Sequence, residues 1–285
     1  MTGTRVWFVT GASRGLGRAF TEAALARGDS VAAVARTRPD LEPSERLLTL
    51  QADVTDRDAV FTAVDTAVRH FGRLDVVVNN AGFLAMGMLE EFSEAEARAQ
   101  MDTNFFGALW VSQAVLPVLR AQGSGHILQV SSIGALSGFA LSGMYSASKF
   151  ALEGMSEALA AEAAGFGVKV TIVEPGGYWT ELYTSGLAAT EPMDAYAPLR
   201  AELEKTFADG SVDSMPELAA EAVMKLVDSA NPPLRLLLGS MVYDLAFEVS
   251  QRKMATWAAW EETSRAAEHG VPMPSDYDLN LGRLP

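Results

Sequence analysis

Runs such as "RVWFVT", "SVAAVA" and "LDVVVNN" are short and apolar at nearly every position. Successive side chains of a strand point to opposite faces, so a strand with one wet face must alternate apolar and polar residues, and one that does not alternate is covered on both sides. The pattern recurs in "LLTLQADVTD", "GHILQVSS", "VKVTIVEPGG" and "LRLLLG". Helical patterns lie between these runs. "GLGRAFTEAALARG" stops at Gly28, a second helix covers roughly 57–71 with Thr55 or Asp56 as its cap, and a long one runs from about Glu94 to Leu119, with Pro117 near its end. Another covers 145 to about 164, where Phe150, Leu152, Met155 and Leu159 recur at helical spacing. Strand and helix in alternation, joined by right-handed crossovers, predict an α/β fold with a doubly wound parallel sheet of about seven strands and helices on both faces. Two segments fall outside the pattern. Residues 180–215 read as an insertion of short helices that closes over a substrate, and 241–285 as a C-terminal helix followed by an irregular tail. No linker separates a second domain, so one domain is expected over 1–285.

Composition narrows the function. The chain has 285 residues, 49% of them hydrophobic and 20% charged, with a net charge of −14. Such a surface repels phosphate backbones and anionic lipid, so neither nucleic acid nor a membrane is an expected partner. With no cysteine there is no disulfide and no thiolate chemistry, as in a reducing cytoplasm. The start, "MTGTRVWFVTGAS", runs straight into a strand and carries no signal-peptide pattern, and no apolar run reaches the roughly 18 residues that span a bilayer. His70, His126 and His269 are scattered, without ligand spacing; no metal site is expected, and they read as ordinary surface or loop residues.

The first strand ends in "VTGASRGLG", which opens the first helix. Gly11, Gly15 and Gly17, with Ser13, Arg14 and Leu16 between and beside them, turn the chain tightly and let its backbone approach a pyrophosphate at the helix N-terminus. The spacing Gly-x-x-x-Gly-x-Gly resembles the short-chain dehydrogenase/reductase family, and the resemblance runs from about residue 5 to residue 239. It implies a Rossmann-like fold and a nicotinamide dinucleotide. A carboxylate at the end of the second strand would bind a ribose 2′-hydroxyl, and a base there would bind a 2′-phosphate. In "AVARTR", Ala35 stands where NAD-preferring members carry the acid, and Arg36 follows. With Arg14 in the loop, this points to NADP(H), since the guanidinium fork suits phosphate. By the same resemblance Asp53 and Val54 hold the adenine, and Asn80, Ala81 and Gly82 lie beside its ribose, while Asn79 is a structural turn residue. In "EPGGYWT", Pro175, Gly176 and Thr180 match the loop at the nicotinamide carboxamide, with Tyr178 beside them.

"YSASK" places Tyr145 and Lys149 one helical turn apart on one face. A phenol near pKa 10 is a poor acid at neutral pH, and a neighbouring ammonium is expected to bring it down toward the working range. Ser132 ends the fifth strand, where ligands bind in such sheets, while Ser131 points the other way. The resemblance makes Asn104, Ser132, Tyr145 and Lys149 the catalytic set, with Asn104 holding the helix geometry and a water leading to the lysine. Phe83, Met86 and Met88, Gly138 and Phe139, and Trp179, Tyr183 and Leu187 suggest an apolar, adaptable pocket. The expected function is therefore NADPH-dependent reduction of a ketone or aldehyde to an alcohol, or the reverse, and the family resemblance implies a homodimer or homotetramer built through the helices of Asn104 and Tyr145. A non-enzymatic NADP-binding sensor is the alternative, but it needs none of Ser132, Tyr145 and Lys149. A serine hydrolase is excluded, because Ser132 has no Gly-x-Ser-x-Gly turn and no evident His partner.

Overall fold

The computed structural model describes residues 4–208, 213–268 and 270. β1 (Val6–Thr10) is buried at every position. Its side chains alternate between two cores, Val6 and Phe8 entering one, Trp7 and Val9 the other. The chain continues through α1 (Gly15–Ala26), β2 (Ser30–Ala35), β3 (Leu47–Gln51), α2 (Arg57–Phe71), β4 (Val76–Asn79) and β5 (Leu84–Met86). Then come α3 (Glu94–Met101), α4 (Gly107–Gln122), β6 (Gly125–Val130), α5 (Gly143–Ala164), β7 (Val168–Pro175) and β8 (Leu187–Ala189). α6 (Ala197–Ala208), α7 (Pro216–Asp228), β9 (Arg235–Leu238), α8 (Ser240–Ala259) and α9 (Glu261–Ala266) complete it.

The main sheet has seven strands in the order β3-β2-β1-β4-β6-β7-β9, and every pairing is parallel. The chain winds outward from β1 in one direction and, from β4, in the other. Between β1 and β4 the connections part, which opens a crevice at the carboxyl ends of these strands. One core takes Val60 and Val64 of α2, Val111 and Val115 of α4 and Leu159 of α5; the other takes Phe20 and Ala24 of α1 and Ala219 and Val223 of α7. Each large side chain so buried contributes about 1.5–3 kcal/mol. The expected parallel sheet and two-sided burial are thus present.

Local details differ from expectation in three places. The long helix from Glu94 is not continuous: α3 and α4 are joined by a π-helical turn at Asp102–Phe106. Nothing in the side-chain pattern marks this turn; the buried Asn104 within it binds a neighbouring loop and so favours the wider winding. The segment after β7 contains a strand as well as short helices, since β8 pairs in parallel with β5 in a second sheet of two strands. Three-residue strands carry no period that a sequence can display. His126 is not a surface residue. It is buried in β6, and its Nε2 lies 2.9 Å from Thr171 Oγ1 of β7. His70 is exposed on α2, and His269 lies outside the described residues, as do 209–212 and most of the expected C-terminal tail.

By its contacts the chain divides into two compact units, Met1–Leu245 and Ala246–Pro285. The first holds the sheet and the helices packed on it. The second holds the end of α8 and α9, where Trp257 and Trp260 are exposed. None of the described helices is long and apolar enough to cross a membrane.

His126 gives the fold a pH dependence with a defined sign. Burial, with Lys169 and Arg5 adding to it, holds its pKa down at about 4 against an ordinary 6.5. The unfolded chain therefore takes up this proton first, and the stability that the neutral ring contributes is present above pH 6.5 and lost as pH falls toward 4. Urea denaturation at a series of pH values should show His126→Gln losing less stability than the wild type over that interval.

Candidate active site

The site begins at the crevice between β1 and β4. Thr10 Oγ1, at the end of β1, donates to Val78 O at 3.2 Å and accepts from the backbone N–H groups of Asn80 at 3.0 Å and Ala81 at 3.1 Å. Asn80 Nδ2 reaches back to Thr10 O at 3.0 Å and Gly11 O at 3.3 Å. The glycine loop and the segment after β4 are thus laced together. The fit leaves no room for side chains: a Cβ on Gly17 would stand 2.3 Å from Gly11 O and 2.4 Å from Asn80 Nδ2. Gly11 also needs its φ of +66°, which side chains rarely adopt.

α1 then starts without a side-chain cap and without an acidic residue in its first turn. α2, by contrast, is capped by Asp56, whose carboxylate accepts from Ala59 N at 3.0 Å. The first N–H groups of α1 therefore point out of the helix end without a carboxylate to satisfy them, which suits an anion. Leu16 packs against the core beneath, and Ser13 and Arg14 are partly exposed. Arg36 is exposed at the end of β2, and no ion pair engages it among the described residues. Asp53 accepts from Thr55 N at 2.9 Å and Thr55 Oγ1 at 2.8 Å, and Val54 is buried against Gly107. Uncapped helix end, tight glycine turn and a free guanidinium with no acid at Ala35 make a donor set that fits a phosphorylated dinucleotide.

Toward the middle of the sheet Asn104 is almost fully buried. Its Oδ1 accepts from Phe83 N at 3.1 Å, and its Nδ2 donates to Phe83 O and to Ser148 Oγ, both at 3.1 Å. It thereby ties the π turn to the loop after Gly82 and to α5. Both amide hydrogens are engaged, one by Phe83 O and one by Ser148 Oγ. Asn79 is the buried last residue of β4 rather than a residue of the turn after it, and its Nδ2 donates to Gln129 Oε1 at 3.0 Å and Ser112 Oγ at 3.2 Å.

Ser132 follows β6 with its Oγ accepting from Gly134 N at 3.1 Å. Tyr145, in the first turn of α5, lies against it; a Cβ on Gly134 would be 3.1 Å from the Tyr145 ring and 3.5 Å from Ser132 Oγ. Lys149 is one turn further on, with Nζ 5.7 Å from the Tyr145 ring centroid and donating to Val130 O at 2.8 Å. Ser131 does point away, to Glu153 on α5. The expected phenol acidity is not found. Burial pushes the Tyr145 pKa up to about 12, against a hydrogen bond from Ser132 that lowers it and with the nearby Tyr183 raising it further. Burial lowers Lys149 to about 8, with Glu153 opposing. The ammonium faces a carbonyl rather than the phenol oxygen, so desolvation of the hydroxyl prevails.

Pro175 ends β7 beside Leu238 of β9, and Gly176 after it donates its N–H to Leu238 O at 3.1 Å. The Tyr178 ring is packed in the core with Ala12, Val130 and Val173 rather than standing open to a ligand. Thr180 comes back to the glycine loop, its Cβ 3.2 Å from where a Cβ on Gly15 would lie, and Arg14 donates to Ser185 just beyond. The segment is anchored by Glu91, a residue that its sequence context does not distinguish. Its carboxylate accepts from Met88 N at 2.8 Å, Thr190 Oγ1 and Met193 N at 2.9 Å, and from Arg200. Of the apolar candidates, Met88 is buried, while Phe139, Trp179, Tyr183 and Leu187 are exposed.

The chain was compared with known proteins. Residues 5–190 match the family model described as short chain dehydrogenase. Oxidoreductase BOA17 of Botryotinia fuckeliana is 41% identical over 274 residues, covering 93% of this chain and 99% of that one. A short-chain dehydrogenase from Streptomyces avermitilis superposes with a TM-score of 0.86 at 37% identity, over 94% of this chain and 100% of that one. A short-chain dehydrogenase from Burkholderia cenocepacia, solved in complex with NADP, gives a TM-score of 0.73 at 28% identity, over 90% of this chain and 97% of that one. With its parallel sheet, its glycine loop at the β1–β4 crevice and these matches over most of its length, the chain belongs to the short-chain dehydrogenase family of oxidoreductases.

Proposed function

We propose that the protein is an NADPH-dependent reductase of ketones or aldehydes, with Tyr145 as proton donor, Ser132 as its partner at the carbonyl oxygen, and Lys149 and Asn104 as supports. The observation that carries this reading is the convergence of Ser132, the buried Tyr145 ring and Lys149 at the carboxyl end of β6. A tyrosine with a pKa of about 12 keeps its proton at neutral pH. Reduction draws this proton to the carbonyl oxygen, and the reverse reaction returns it to the same phenol. A nascent alkoxide is a stronger base than this phenolate, so transfer runs downhill even from a raised pKa. The same burial that makes the phenolate costly keeps water from the reacting oxygen.

NADPH, when bound, supplies the hydride. Gly11, Gly15 and Gly17 let the backbone approach its phosphates, and the open end of α1 receives them. Arg36 reads the 2′-phosphate, with Arg14 available once it leaves Ser185. Asp53, Val54, Asn80, Ala81 and Gly82 border the adenosine half, and Pro175, Gly176 and Thr180 the nicotinamide half, with Tyr178 supporting their loop from the core. The NADP bound in the Burkholderia cenocepacia relative supports this choice of cofactor. Ser132 and Tyr145 donate hydrogen bonds to the carbonyl oxygen, where negative charge grows in the transition state. Asn104 fixes Phe83 and α5, and so holds Tyr145 and Lys149 in register with the crevice. Exposed Phe139, Tyr183 and Leu187 support an apolar substrate, and exposed Phe106 and Phe150 support pairing of two copies along α4 and α5.

Tyr145→Phe should leave the fold and NADPH affinity within about twofold of wild type and lower kcat for ketone reduction by about 10³-fold, within the range of a lost general acid. Absorbance at 340 nm with a ketone panel measures the rate, and a variant that retains a tenth of it is not missing its proton donor. Arg36→Asp should move the NADPH/NADH ratio of kcat/KM toward NADH by roughly 10²-fold, the scale of a lost charge-assisted contact joined by a repulsive one. An unchanged ratio would assign the phosphate to another residue.

A further inference from the structure

Behind Lys149 the structure holds a buried group of charges that the proposed reaction leaves unused. Glu153 follows one turn later on the same face of α5, and both side chains are buried. Glu153 Oε1 accepts from Ser131 Oγ at 2.7 Å, and its Oε2 accepts from an Arg235 nitrogen of β9 at 3.1 Å. Ser131 stands between Val130, whose carbonyl receives Lys149 Nζ at 2.8 Å, and Ser132. Arg235 also binds Glu157, and its Nε lies 3.2 Å from Glu174 Oε1 of β7. Glu174 is completely buried, and neither of its oxygens has a hydrogen-bond partner among the described residues.

A tie between α5 and β9 needs only Glu157 and Arg235, which meet at the surface. Two more carboxylates inside lose their hydration, a cost that only compensating opposite charge offsets. Arg235 is one cation facing three carboxylates. Burial, then repulsion from Glu153, outweighs the pull of Arg235 and raises Glu174 to about 7, so near neutral pH it holds a proton much of the time. The charges then balance only when Lys149 is counted as the second cation, set against Glu153.

We propose that Glu153 is a positioning residue for carbonyl reduction: clamped by Ser131 and Arg235 on the lysine's own helix face, its carboxylate keeps Lys149 an ammonium. The proposal rests on Lys149 being the cation beside the proton donor. Tyr145 shares the lysine's face of α5 and has Tyr183 acting on it, while Glu157 on α5, Glu174 on β7 and Arg235 on β9 form the charged group around Glu153. Burial alone drives the lysine toward neutrality, and Glu153 pulls in the opposite direction, leaving it near 8. Without that carboxylate the ammonium is lost at lower pH, inside the working range.

The test is a titration of Lys149 by NMR of ¹³Cε-labelled lysine in the full chain without cofactor. The other resonances come from Lys169, Lys205, Lys225 and Lys253, and Lys149→Arg identifies the signal. In Glu153→Gln the midpoint should fall by about one pH unit, and the basic limb of kcat should move with it. Turnover at pH 9 then drops about tenfold while that at pH 6.5 stays within about threefold of wild type, one unit being a tenfold change in the equilibrium. Glu153→Asp should restore most of the displacement. An unmoved Lys149 midpoint, or an equal loss of rate at every pH, overturns the proposal. If circular dichroism and thermal melting find Glu153→Gln unfolded, Arg235→Gln takes its place. Removing the cation that competes for Glu153 should raise the Lys149 midpoint, and no shift or a fall overturns the proposal. Tyr145→Phe measured alongside separates the two claims: if it retains turnover, the assignment of the proton donor fails, whereas an unmoved lysine midpoint removes only the role of Glu153.

Discussion

Where the winding of the sheet reverses between β1 and β4, two strand ends must separate without leaving their backbone groups unpaired. Thr10 and Asn80 meet that requirement: one hydroxyl and one amide satisfy the chain on both sides of the gap. The glycine loop can then lie flat against the segment after β4, and this is possible only because Gly17 presents no side chain to Gly11 O. The opening of α1, the position of Arg36 and the crevice itself follow from this arrangement. A bulkier residue at position 17 would push the loop away from Asn80 and close the site with it.

Burial is the second organising effect, and at the candidate active site it outweighs charge. An ammonium one helical turn from a phenol is expected to acidify it, yet the phenol is less acidic than in water. The ammonium donates to a main-chain carbonyl, and both groups are dry. A desolvated phenol holds its proton, and a desolvated ammonium tends to lose one. Tyr145 and Lys149 thus drift in opposite directions from water, toward the pair of neutral forms. Glu153 opposes that drift at Lys149, and its carboxylate is itself held by Ser131 and by Arg235 of β9.

Much of this architecture was legible in the residues. Unbroken apolar runs required two covered faces, and the sheet has them. Gly11, Gly15 and Gly17 marked the turn, and Thr55 or Asp56 the start of α2, of which Asp56 is the cap. The tyrosine and lysine share a helix face because their spacing requires it. The π turn around Asn104, the β5–β8 pairing and the buried His126 were not legible. Each depends on a partner far along the chain: Phe83 for Asn104, the strand about a hundred residues away for β5, Thr171 for His126. Glu91, Glu153 and Glu174 were not legible for the same reason, since a carboxylate reads as a solvated charge until its neighbours from distant parts of the chain are known.

The sequence by itself determined the periodicities: which segments form strands, which form helices, and which residues share a face. These are local properties, set by backbone geometry and side-chain size within a few residues. Only the tertiary structure decided what surrounds each charge. Desolvation depends on everything packed nearby, from elements distant in the chain. That is why the spacing of Tyr145 and Lys149 was readable while their acidities, and the part Glu153 takes in them, were not.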